Sequence, residues 1–108
     1  MNKYRNSKCE YQGLKFDSQK EMQRYIELSY LQKAGDITGL SCQVKFELLP
    51  KQGNLQAISY VADFVYYDEY GDKIIEDVKG FKKGQAYAVF QIKRKLLKYI
   101  HGLNIKEV

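Results

Sequence analysis

Apolar and polar residues alternate along two runs near the middle of the chain, residues 58–67 and 73–79, and a polar segment carrying Gly71 joins them. This is the pattern of a β-hairpin with half-buried strands. A third alternating run, Val44, Phe46 and Leu48, predicts a strand over residues 44–49, ended by Pro50 and a polar turn. Helical spacing takes over in two places. Ser18 and Glu21 form a Ser-x-x-Glu capping box ahead of Met22, Tyr25, Ile26 and Ser29, which predicts a helix ending near Lys33 with Gly35 just beyond it. Val89, Ile92, Leu96 and Ile100 mark the apolar stripe of a second helix over residues 85–101, with Phe90 and Leu97 at its border and Gly102 as its stop. Residues 103–108 make a last short strand, residues 36–40 read as a connection, and residues 1–16 as a basic extended arm or a short strand pair around Gln12 and Gly13. The order helix, strand, two-stranded hairpin, helix, strand gives an α+β class with a central mixed sheet flanked by helices.

The hairpin is where polar residues interrupt an apolar pattern. Side chains alternate faces along a strand, so Asp77 and Lys79 share one face while Glu76 and Val78 share the other; on the partner strand Val61, Asp63, Val65 and Tyr67 fall together. If the hairpin closes symmetrically around Tyr70, with residues 68–72 as its loop, Asp63 lies opposite Asp77. Two carboxylates about 4 Å apart repel by roughly 4 kcal/mol at an effective dielectric near 20. Lys79 offsets part of this, and a divalent cation would offset far more. A solvated sheet face carrying an ordinary ion pair is the alternative; the apolar neighbours Val61, Val65 and Ile75 favour the metal. Glu21 is the N3 residue of the capping box, yet it also lies on the border of the buried stripe, whereas Lys20, Gln23, Arg24 and Glu27 point outward. Lys93 falls on the apolar side of the second helix, where a lysine fits only if its stem is buried and its head reaches a polar target. His101 is the only histidine and stands at a helix C-terminus, where a dipole contact accounts for it.

A chain of 108 residues has the length of one domain with one modest core. Eighteen Lys and Arg against 13 acids give a net charge of +5, which favours polyanions, nucleic acid first and anionic membrane second. The cations Lys3, Arg5, Lys8, Lys82 and Lys83, with Lys93, are the expected phosphate contacts. No run approaches the roughly 20 apolar residues of a membrane span, so the expectation is a soluble, cytoplasmic protein that does not engage a membrane. Cys9 and Cys42 have no metal-ligand spacing and read as reduced thiols.

Asp63, then Asp77-Val78-Lys79 on the next strand, with Glu21 supplied by the first helix, resemble the motif of the PD-(D/E)XK nuclease superfamily. Ala62 stands where that name has proline, and Glu76 beside Asp77 is the reserve acid should a bulge exchange their faces. Tyr4-Arg5-Asn6, Lys15-Phe16-Asp17-Ser18, Ala62-Asp63-Phe64 and Glu76-Asp77-Val78-Lys79-Gly80 are further similar to short phage-encoded proteins labelled endonuclease-like or Holliday junction resolvase-like. The resemblance implies a restriction-endonuclease-like core in a single domain over residues 1–108. It also implies a metal-dependent DNA endonuclease, encoded by a phage and acting in the cytoplasm of a bacterial host. In that reading Asp63, Asp77, Glu21 and the Val78 carbonyl hold Mg²⁺ or Mn²⁺, and Lys79 is catalytic. Symmetric cleavage of a junction would need two active sites and hence a homodimer. The competing reading is a non-catalytic nucleic-acid-binding module that retains the nuclease fold.

Overall fold

The structure is a computed structural model that describes residues 8–80 and 82–108. Lys3 and Arg5 lie outside the described residues. The chain opens with a hairpin, β1 (Cys9–Tyr11) and β2 (Leu14–Phe16), whose turn residues Gln12 and Gly13 both have positive φ, at 51° and 83°. That is the geometry of a two-residue hairpin turn. Buried Phe16 pins this hairpin to α1 through Tyr25, their ring centroids 5.2 Å apart, so this part of the expected arm is a docked strand pair.

Helix α1 (Gln19–Lys33) starts where the capping box places it, with the Ser18 hydroxyl accepting the Glu21 N–H at 3.1 Å. Three antiparallel neighbours follow: β3 (Thr38–Leu49), β4 (Ile58–Tyr67) and β5 (Lys73–Asp77). Helix α2 (Gly84–His101) then returns the chain to β6 (Ile105–Glu107), which joins the sheet parallel to β5. The result is an α+β fold with a mixed four-stranded sheet, order β3-β4-β5-β6, covered by α1 on one face and α2 on the other. Among the described residues no helix is long and apolar enough to cross a membrane.

Three expectations change. Strand β3 begins at Thr38, inside the segment read as a connection, because long-range pairing such as Ser41↔Val65 carries a stretch whose own pattern is broken by Gly39 and Gln43. A side chain at Gly39 would meet the Tyr67 ring at 3.2 Å, in a left-handed conformation as well. Helix α2 is rotated from the predicted stripe. Phe90 and Leu97 are buried, while Val89, Ile92 and Ile100 are exposed, because the bulky Phe90 ring docks among Tyr60 and Tyr87. Finally, Val61, Asp63, Val65 and Tyr67 do not share a face. Tyr60 and Ala62 pack in the cluster under α2, as does Val65, whereas Phe64 and Tyr66 pack under α1. The alternation therefore changes phase between Ala62 and Phe64. On β3 the same change falls between Val44 and Cys42, although the register Val44↔Ala62 and Cys42↔Phe64 runs straight through. Asp63 and Gln43 stand at this pivot, and Gln43 has the left-handed φ of 54° that turns the strand over.

Candidate active site

The hairpin loop closes as its symmetry requires, with Asp68 N–H donating to the Asp72 carbonyl at 3.0 Å and Val65 paired with Ile75. The β4–β5 pairing ends at Phe64↔Glu76. One step further the strands part, and the Val78 N–H donates to Asp63 Oδ2 at 2.7 Å. A side chain thus takes over a hydrogen bond that the ladder no longer makes. Asp77 and Lys79 lie on the α2 side of this fork. The Lys79 ammonium is 3.0 Å from Asp77 Oδ1 and sits 3.7 Å above the centre of the Phe90 ring. The buried Tyr60 hydroxyl donates to Asp77 Oδ2 at 2.6 Å.

From the other face, the first turn of α1 delivers Glu21, 6 % exposed, to Asp63. The two carboxyls are close enough to shift each other's affinity for a proton. Burial, then the Asp63 charge, pushes Glu21 up to about 7, and burial with the nearby Asp77 charge also raises Asp63. Gln43 Nε2 donates to Asp63 Oδ1 at 3.4 Å. The half-buried Cys42 thiol is pushed up by burial and then by Glu21 and Asp63. Three acids from three elements thus stand in a row across the fork, Glu21 beside Asp63 and Asp63 near Asp77, and Asp77 is the one paired with Lys79.

Glu76 has a different task. It is fully buried on the α1 face, where Arg24 Nε and Nη2 reach its two oxygens at 2.8 and 2.6 Å and the Tyr66 hydroxyl also donates to it. Arg24 holds the Glu76 carboxyl below the ordinary carboxylate value despite its burial. Arg24, expected to point outward, turns inward because this buried carboxylate has to be paired. The reserve acid is a structural one.

Among the described residues no three Asp, Glu, His or Cys side chains converge as a ready-made metal centre. Both Asp77 oxygens are drawn to donors, and Asp63 accepts from the Val78 N–H and from Gln43. Carboxylate and carbonyl oxygens are nevertheless the donor class that hard divalent cations take. Each carboxylate oxygen has two lone pairs, so Asp77 can keep Tyr60 and Lys79 and still coordinate. Residues 1–106 match the family described as Protein of unknown function (DUF1064). The chain belongs to that family. No curated protein and no solved structure matches it.

The remaining expected contacts of this family member are more dispersed. Lys8 and Lys83 are exposed, Lys82 lies 3.5 Å from Glu107, and Lys93 is half-buried on α2 without a hydrogen bond or ion pair among the described residues. His101 Nε2 is 2.8 Å from the Glu47 carbonyl and its ring meets Phe46 edge-on, a packing role. Tyr60, Gln43 and Lys20, whose ammonium reaches the Lys79 carbonyl at 2.6 Å, were not among the sequence candidates. Strict alternation would place Tyr60 on the opposite face from Asp77, and only the phase change at Asp63 brings the two together.

Proposed function

We propose that this protein is a metal-dependent DNA endonuclease with a restriction-endonuclease-like core, acting on branched DNA in the manner of a Holliday junction resolvase. One observation carries the reading: at the mouth of a strand fork Asp77 is paired with Lys79 at 3.0 Å, with Asp63 of β4 and Glu21 of α1 next to it in turn. Glu21, Asp63, Asp77 and the Val78 carbonyl would hold Mg²⁺ or Mn²⁺. When bound, such an ion polarises the phosphate and lowers the pKa of a water. Asp77, held by Tyr60, keeps Lys79 in place. Lys79 then orients the attacking water and meets the charge that develops on the phosphate oxygens. The excess of basic side chains draws in the substrate.

The engagement of both Asp77 oxygens by Tyr60 and Lys79 favours a second reading, a nucleic-acid-binding module whose acid cluster is structural. Labelled four-way junction, flap, duplex and single-stranded DNA, each incubated with the purified protein in Mg²⁺, in Mn²⁺ and in chelator, separate the two. Cleavage of the junction that stops in chelator is the expected result. Binding that metal leaves unchanged, with every strand intact, would replace the nuclease by the binding module.

A further inference from the structure

Beside the outer face of α2 runs a groove of about 480 Å³ lined by Arg94, Lys95, Lys98, Tyr99 and Leu103, among others, and no acidic side chain lies on its walls. The whole of α2 carries neither Asp nor Glu. Lys95 and Lys98 are exposed, and Tyr99 is 89 % exposed. A tyrosine ring so far into solvent contributes little to the core, whereas a ring set among cations is a platform on which an unpaired base can stack while its phosphates are neutralised. In a duplex both faces of each base are already covered by its neighbours. The combination therefore suits a single strand.

A single carboxylate links the groove to the fork. Glu107 is 2.8 Å from Arg94 Nη1 and 3.5 Å from the Lys82 ammonium. The next residue, Val108, pairs its N–H with the Asp77 carbonyl and its carbonyl with the Lys79 N–H, both at 3.0 Å. Lys82 and Arg94 thus flank Glu107 between the fork and the groove, and Arg94 shares the groove wall with Lys95 and Lys98.

We propose that this groove is a binding site for a single strand of nucleic acid, with a base stacked on Tyr99 and phosphates on Arg94, Lys95 and Lys98. The proposal rests on the nuclease reading for the path of the strand and deepens it, since a branched substrate supplies unpaired nucleotides at a distance from the cut. The test is fluorescence anisotropy of a labelled oligothymidylate in chelator, where no cleavage occurs, with a duplex of the same length as control. Tyr99→Ala should weaken oligothymidylate binding by about 5- to 150-fold and duplex binding much less. Lys95→Ala with Lys98→Ala should reduce the log–log salt slope on the single strand by about 0.7 for each phosphate that is no longer neutralised. All three positions are exposed, so melting curves of the variants should match the wild type. A Tyr99→Ala protein that binds oligothymidylate as tightly as the wild type overturns the proposal. So does a groove that takes phosphatidylserine vesicles or polyglutamate through the same residues and ignores the oligonucleotide. A protein that cuts no DNA in Mn²⁺ yet loses single-strand affinity on Tyr99→Ala would end the nuclease reading and leave the groove standing.

Discussion

Glu21 carries two loads, the first turn of α1 and a carboxyl held against Asp63 in a buried place. Its carboxyl is raised from an ordinary 4.5 to about 7, so between those values the folded, metal-free protein binds a proton that the unfolded chain does not. This contribution is fully present below about 4.5 and is lost as pH rises through about 7. The melting temperature in chelator should therefore fall across that window, and Glu21→Gln should flatten the fall; parallel curves for the two proteins would mean that Glu21 holds no such proton. At Tyr60 the load is positional. Tyr60→Phe removes the hydroxyl from Asp77 Oδ2, and if Asp77 holds the proposed metal, loss of a group that orients it should cost about 10- to 100-fold in metal affinity. Mn²⁺ titration followed by the rise in melting temperature should show that shift, and a variant that loses stability but titrates like the wild type would make Tyr60 a packing residue only. Arg24→Ala should destabilise by about 3–5 kcal/mol near neutral pH, because it strands the charge of the buried Glu76. The loss should shrink in acid, where Glu76 takes up a proton.

The middle of the sheet turns over at Gln43 and Asp63, and this pivot lets acids from both helix-covered faces meet. A non-glycine residue held at positive φ costs about 1–3 kcal/mol. Gln43→Gly should accordingly keep or raise the melting temperature, while the β-branched Gln43→Val should lower it; a valine protein as stable as the glycine one would mean that Gln43 does not make the pivot. Periodicity and caps made α1, the hairpin and its loop legible in the sequence, since Ser18, Glu21 and Gly71 act on their own neighbours. The phase change was not legible, because a strand read residue by residue shows only alternation, and the departure depends on Gln43 of the adjoining strand. Nor was the rotation of α2, where Phe90 rather than Val89 docks because the Tyr60 ring of β4 receives it. The pairing of Arg24 with Glu76 joins residues 52 positions apart and exists only once α1 is laid on β5.

At the scale of the whole molecule, a net charge of +5 coexists with four acids, Glu21, Asp63, Glu76 and Asp77, gathered at or beside the fork. The outer surface is therefore more cationic than the total, and DNA affinity should fall steeply with salt, by a log–log slope of about 0.9 for each phosphate neutralised on duplex. Both lysines of the loop are exposed, but Lys82 shares its charge with Glu107. Lys83→Ala should thus flatten the slope more than Lys82→Ala, and equal slopes for both variants and the wild type would take the 82–83 loop off the DNA surface. The claim that the fork is a metal-dependent cutting site stands or falls with Asp77. The most direct measurement compares wild type and Asp77→Asn on a labelled four-way junction in Mn²⁺, with binding measured alongside in chelator. The wild type should cut, and the variant should bind at least as tightly and leave the junction whole; a variant that still cuts would contradict the site.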